Sequence, residues 1–177
     1  MKTRLLRIYY LWLNWIKKAA DLNIAEVDIN EMLENILKRL NPIASVKHVE
    51  LVLESFRPVV AEIDEVKLSL AFSNLIENGI KYNVENGYVH VKLDADHKYF
   101  FVTVTDSGIG IPEESIDKIF ERFYRVDKSH SREIGGTGLG LAITRSAIVM
   151  HRGAIKVKSE EHKGTTFSVR IPLTYIA

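Results

Sequence analysis

The stretch EVKLSLAFSNLIENGIKY, residues 65–82, decides how the rest of the chain is read. Leu68, Ala71, Phe72, Leu75 and Ile76, with Ile80 further along, recur at helical spacing and form a core-facing stripe. Asn74 and Asn78 lie four residues apart and Lys81 three further on, so these three share one face. Asparagine is a middling helix former, so two on one face ask for a reason other than propensity. The Asn78 amide oxygen is a possible Mg²⁺ ligand, and Lys81 can neutralise phosphate. Taken alone, the same pattern also describes a solvated polar face.

Working outward, residues 28–40, DINEMLENILKRL, predict a preceding helix on Ile29, Met32, Leu33, Ile36, Leu37 and Leu40. Asp28 and Glu31 suit its positive end, and Pro42 predicts a stop or kink nearby. Residues 1–20 form a helix candidate with too many apolar faces to stand alone in water. Its Arg4, Arg7, Lys17 and Lys18 permit a membrane-surface reading, but packing on another helix is simpler. Two short strand-like runs occupy 49–60. Downstream, YVHVKL (88–93) and YFFVTVT (99–105), joined by the polar DADHK, read as a hairpin. DSGIGIP (106–112) is a loop, and EESIDKIFERFYRV (113–126) has helical character. DKSHSREIGGTG (127–138) is a candidate lid, and LGLAITRSAIVMH (139–151) a helix entered from glycines. AIKVKS (154–159) and TTFSVRIPL (165–173) flank Gly164 as a second hairpin. This order predicts an α+β fold, a two-layer α/β sandwich with helices on one face of a largely antiparallel sheet.

Bulk properties narrow the field. With 177 residues, 46% hydrophobic and 27% charged, the chain has the balance of a globular domain and not of a disordered one. A net charge of +1 gives no global reason to expect nucleic acid as a partner. The absence of cysteine excludes disulfides, zinc thiolates and a cysteine nucleophile, and suits a reducing compartment. No run approaches the length of a membrane span, and Lys17 and Lys18 stand where a secretory signal would carry its cleavage site.

Two further groups carry chemistry. Asp106 leaves a strand beside Gly108 and Gly110, so its carboxylate can accept a hydrogen bond from the amino group of a base while the glycines admit a flat ring. A plain Asp-Ser-Gly turn reads the same way. GGTGLGL, residues 135–141, opens a helix with glycine-rich backbone, an arrangement that aims N–H groups at an anion. No strand precedes it, as a dinucleotide fingerprint requires, and Leu141 follows Gly140 where a P-loop needs lysine. A eukaryotic-type kinase would place its glycine loop near the start, with an H-R-D loop after it.

In this order the motifs resemble the catalytic ATP-binding domains of sensor histidine kinases, in the superfamily shared with gyrase, Hsp90 and MutL. The asparagine box is similar to NLIENGIKY (74–82), the glycine boxes to DSGIGIP (106–112) and GGTGLGLAI (135–143). The phenylalanine box resembles IFERFYR (119–125), and the closing element HKGTTFSVRIPL (162–173). The resemblance covers about residues 26–173. It implies a Bergerat-type sandwich of about five strands with an ATP lid. It also implies Asn78 as Mg²⁺ ligand, with Asn74, Lys81 and Tyr82 lining the pocket. Asp106 would read adenine beside Gly108, Gly110 and Ile111, with Thr165 supporting that contact through a water. Arg122 and Arg125 would lie on the phosphate side, and Phe120 and Phe123 would couple the lid to the domain. Gly136, Thr137, Gly138, Leu139 and Gly140 would form the lid's hinge and phosphate cradle. Two departures stand out: Asn78-Gly79 where Asn-Ala is usual, from which a local loss of rigidity is expected, and His151-Arg152-Gly153 where His-Gly-Gly is usual.

ATPases of this superfamily carry a glutamate one turn before the metal asparagine as general base. Here that place is Asn74, which cannot accept a proton at neutral pH. The resemblance therefore implies a kinase that holds Mg–ATP for a histidine on a two-helix dimerisation module, which then serves a response regulator. None of His48, His90, His97, His130, His151 and His162 lies in a Ser-His-Glu-like box. Residues 1–25 resemble the end of the second dimerisation helix and a linker, and 26–177 the catalytic domain. The expectation is a cytoplasmic domain whose parent is an inner-membrane homodimer and which cannot phosphorylate itself unaided. Competing expectations are a nucleotide-binding regulatory module, an anti-sigma-type serine kinase and an ATPase.

Overall fold

The computed structural model describes residues 6, 7, 9–11, 13, 14, 22–122, 124 and 140–176. Most of the apolar opening, Phe123, Arg125 and the lid with Gly136, Thr137, Gly138 and Leu139 lie outside the described residues. The described residues between 6 and 14 are helical.

Strand β1 (Ala25–Asp28) leads into helix α1 (Ile29–Val46), followed by β2 (Glu50–Ser55) and β3 (Val60–Ile63). Helix α2 (Glu65–Lys81) precedes the hairpin β4 (Tyr88–Ala95) and β5 (Tyr99–Asp106). A 3₁₀ turn (Glu113–Lys118), helix α3 (Gly140–Met150) and the hairpin β6 (Ala154–Glu160) and β7 (Gly164–Pro172) complete the order. β1 and β3 form a small antiparallel pair, and the main sheet runs β2-β4-β5-β7-β6. Only the β2–β4 pairing is parallel, so the expected mixed, mostly antiparallel five-stranded sheet is what forms.

Both predicted helices start on carboxylates. Asp28 accepts the Glu31 N–H at 3.0 Å and Asp64 accepts the Lys67 N–H at 3.1 Å, each satisfying an N-terminal donor of its helix. Along α2 the stripe Leu68, Ala71, Phe72, Leu75, Ile76 and Ile80 is buried. It packs with α1 over the inner sheet face, where Val89, Val91, Leu93, Phe100, Val102, Val104, Phe167, Val169 and Ile171 are buried. Alternate residues such as Lys92, Thr103 and Ser168 lie on the other face, as the two-residue period of a strand requires.

Pro42 lies inside α1, which ends about one turn later at Val46. The bond it forgoes would have gone to the Lys38 carbonyl, and both residues are exposed, so the freed oxygen faces solvent. The helical character expected of 113–126 takes the form of a 3₁₀ turn over Glu113–Lys118. That tighter turn lets two sequence neighbours serve the core, Ile119 by burial and Phe120 edge-on to Phe167 at 6.3 Å.

His151 ends α3 as a buried structural residue. Its Nε2 accepts the Asp64 N–H at 3.0 Å and its Nδ1 donates to the Ala147 carbonyl at 2.7 Å, which fixes the neutral tautomer. Burial pushes its pKa below the usual 6.5. The folded state therefore binds this proton less readily than the unfolded chain, so the contribution is complete above pH 6.5 and is lost as pH falls below it. The stability advantage of the wild type over His151→Gln, measured by urea unfolding, should narrow from pH 7.5 to 5. A pH-independent difference would contradict this assignment.

Candidate functional site

The two hairpins abut along β5 and β7, which brings Asp106, at the end of β5, opposite Thr165 near the start of β7. On its other side Asp106 pairs with Val89 of β4. Helix α2 crosses this corner at Gly79. A Cβ there would lie 3.1 Å from Val89 Cγ2 and 3.5 Å from Asp106 Cβ, so the glycine has a packing reason: it lets the helix close down on the carboxylate.

Burial raises the Asp106 pKa to about 6, opposed by backbone N–H groups of Gly108 and Thr165. The Gly108 N–H reaches Oδ1 at 2.8 Å. At neutral pH the group remains a carboxylate, and no cation pairs with it among the described residues. A raised pKa means that folding is favoured by this group at low pH and loses that help as pH rises through about 6. The carboxylate is thus an acceptor in want of a donor.

The loop after Asp106 threads between α2 and β6. The Ile109 N–H donates to the Tyr82 carbonyl at 3.0 Å, and the Ile109 carbonyl accepts from the His162 N–H at 2.7 Å. Gly110 has a φ of 72°, and a Cβ there would sit 2.1 Å from the Glu160 carbonyl oxygen, so only glycine fits. Gly108 lies as close to the Tyr82 carbonyl, 2.3 Å from a built Cβ. Tyr82 therefore meets this loop through its backbone.

On α2, Asn74 Nδ2 donates to the Gly140 carbonyl at 3.2 Å and so holds the start of α3. The Thr144 hydroxyl donates to the Gly140 carbonyl at 2.8 Å and lies 3.3 Å from the Ala71 carbonyl of α2. Asn78, one turn on, is partly exposed and its amide has no hydrogen-bond partner among the described residues. Lys81 pairs with Glu77 at 3.2 Å, which engages both side chains across one helical turn. Among the described residues no three His, Asp or Glu side chains cluster as a metal cage. Arg122 is exposed, and its Nη1 lies 3.3 Å from the Tyr9 hydroxyl of the N-terminal helix.

Around Asp106 the corner gathers Gly79, Gly108, Gly110, Ile111 and Thr165, while Asn74 joins α2 to Gly140 of α3 and Asn78 lies one turn on along α2. Residues that sequence reasoning missed hold it together. Buried Asn83 donates to the Gly79 and Tyr88 carbonyls, both at 2.9 Å, and accepts from Ser107 Oγ at 3.0 Å. Ser159 Oγ accepts the Ile111 N–H at 2.7 Å and lies 2.8 Å from Thr165 Oγ1. Neither belongs to a periodic stripe. Asn83 directly follows the asparagine box, which was the one available signal. Arg152, the second departure noted above, takes a left-handed φ of 61°, is exposed and donates from Nε to the Ile176 carbonyl at 2.8 Å.

Known proteins match this arrangement. Residues 63–175 match the family described as histidine kinase-, DNA gyrase B-, and HSP90-like ATPase. The sensor histidine kinase WalK of Bacillus subtilis (strain 168) is 41% identical over 129 residues, covering 71% of this chain and 21% of WalK. The signal transduction histidine-protein kinase ArlS of Staphylococcus aureus (strain USA300) is 53% identical over 98 residues, covering 55% and 22%. The matched part is therefore about a fifth of each relative's length. The catalytic domain of histidine kinase ThkA superposes with a TM-score of 0.76 at 28% identity, covering 86% of this chain and 97% of that one. Full-length ShkA in complex with AMPPNP gives 0.77 at 28% identity, covering 89% and 32%. Fold, corner and relatives agree: the chain belongs to the histidine kinase-, DNA gyrase B- and HSP90-like ATPase family and carries the catalytic ATP-binding domain of a sensor histidine kinase.

Proposed function

We propose that the corner at Asp106 binds Mg–ATP and presents the γ-phosphoryl group to a histidine on a two-helix dimerisation module, from which a response regulator takes it. The observation that carries this reading is the half-buried Asp106 carboxylate, with no cation paired to it among the described residues, opposite Thr165 where glycines let a flat ring approach. ShkA, a structural relative solved in complex with AMPPNP, supports a nucleotide as the ligand.

In this reading Asp106 accepts a hydrogen bond from the adenine amino group, and Gly108, Gly110 and Ile111 form the wall beside the ring. Asn78 would be the protein's ligand to Mg²⁺. The donor set fits, because this ion keeps several waters and takes phosphate oxygens, so one uncommitted amide oxygen suffices. When bound, the ion would neutralise charge on the phosphates. Lys81 adds positive charge on the same helix face, and Arg122 and Arg125 serve the phosphate side. The lid residues Gly136, Thr137, Gly138 and Leu139, with Gly140, cradle the phosphates through backbone N–H groups.

Catalysis then rests on position. Asn74 has no proton-accepting group, and its amide is committed to the Gly140 carbonyl. Glu77 is committed to Lys81. Water bound beside the phosphate is therefore not activated, and the phosphoryl group waits for an imidazole nitrogen that bonds phosphorus as the bond to the bridging oxygen breaks and ADP leaves. Residues 1–25 are, in this proposal, the end of the second dimerisation helix and its linker. The domain works in the cytoplasm, and the parent is a membrane-anchored homodimer. Among the described residues of this chain, no helix is long and apolar enough to cross a membrane.

Three outcomes test the proposal. Calorimetric ATP affinity in Mg²⁺ should fall roughly tenfold or more in Asn78→Ala, the cost of losing a polar contact to a charged group. Equal affinity in the two proteins would sink the site. Wild-type affinity should also fall by up to about tenfold per pH unit below pH 6, because protonated Asp106 no longer offers a carboxylate. Asp106→Asn should bind weakly without that added slope, and identical slopes would contradict the role. Finally, γ-labelled ATP mixed with a separately expressed dimerisation module should give acid-labile label on the module. Acid-stable label on serine, or rapid multiple-turnover phosphate release without an acceptor, would overturn the kinase reading.

A further inference from the structure

Ser159 stands in β6 directly opposite Thr165 in β7, and Thr165 in turn stands opposite Asp106 in β5. Its Oγ has three partners: the Ile111 N–H at 2.7 Å, the Gly164 carbonyl at 2.9 Å and Thr165 Oγ1 at 2.8 Å. A hydroxyl has one proton and two lone pairs. The Gly164 carbonyl can only accept, so it takes the Ser159 proton. Ile111 can only donate, so it takes one lone pair. The remaining lone pair accepts the proton of Thr165. The reverse arrangement, with Ser159 donating to Thr165, forfeits the Gly164 bond. That carbonyl is held in place because Gly164, at a φ of 129°, lies so close to Asp106 that a Cβ would meet its carbonyl oxygen at 2.0 Å.

Thr165 Oγ1 has no other hydrogen-bond partner among the described residues, and its one proton is spent on Ser159. Toward the site it offers lone pairs only. Its cross-strand neighbour Asp106 is also an acceptor. Two adjacent acceptors ask for a group rich in N–H donors, and they repel a carbonyl. The demand is the same if one water donates to both, because that water then presents a lone pair outward.

We infer that Ser159 is a positioning residue that orients the Thr165 hydroxyl as an acceptor, so that the site selects a 6-aminopurine over a 6-oxopurine nucleotide. This rests on the nucleotide reading above. Removing Ser159 would free the Thr165 proton to rotate and donate to a 6-oxo group.

Dissociation constants for ATP and for inosine triphosphate, both with Mg²⁺, test this by calorimetry on the full chain. The wild type should prefer ATP. In Ser159→Ala the ratio of the inosine triphosphate constant to the ATP constant should fall roughly three- to tenfold, the worth of one neutral hydrogen bond. Ser159→Thr, which keeps the hydroxyl, should retain the wild-type ratio. Thr165→Val, which removes the acceptor while keeping the shape, should lower the ratio and decides the matter if Ser159→Ala does not fold. If both constants rise together and the ratio stays constant, Ser159 is merely structural and the inference is overturned. A wild type that binds neither nucleotide overturns the nucleotide reading with it, whereas ATP binding with unchanged ratios sinks the inference alone.

Discussion

Burying a carboxylate without a cation costs free energy, and at Asp106 two backbone N–H groups offset only part of that cost. The corner of the sheet is organised around this imbalance. β4 and β7 flank the residue, α2 covers it at Gly79, and the glycine loop turns sharply away from it. An uncompensated acceptor is also the basis of selectivity, because a ligand that lacks the matching donor leaves the charge unsatisfied. The proposed preference for adenine follows from that constraint more than from shape.

Helix α2 supplies the second wall, and its polar residues divide the labour. Asn74 holds α3, Asn83 pins the helix end to the loop after Asp106, and Asn78 remains uncommitted. In the proposed function the uncommitted one meets the metal. The committed ones keep the helix, the loop and the base of the lid in fixed relation. Asn74 fastens the start of α3 and, in the proposed function, leaves the place of a general base without a base. An ATP store that does not empty into water is what a phosphoryl donor to another module requires.

Much of this was legible in the sequence, for physical reasons. The stripe of α2 follows helical periodicity, and its asparagines are conspicuous because they cost helix propensity. The two hairpins show as alternating strands around polar turns. What could not be read depends on contacts between distant segments. Ser159 looks like any strand serine until β6 is placed against β7, and Gly79 looks like a weak point until Val89 is found against it. The parallel pairing of β2 with β4 follows from where α2 returns the chain, which no local pattern encodes. That Pro42 is tolerated inside α1 depends on which side of the helix faces solvent, which the local pattern does not show.

The central claim is that Asp106 is an ionised, half-desolvated acceptor that a nucleotide satisfies. A carbon-13 NMR titration of its carboxyl, in the full chain with and without ADP and Mg²⁺, measures this directly. The account predicts a midpoint near 6 in the free protein, falling well below that when nucleotide is bound. A midpoint at the ordinary aspartate value of 3.8 that nucleotide leaves unmoved would contradict it.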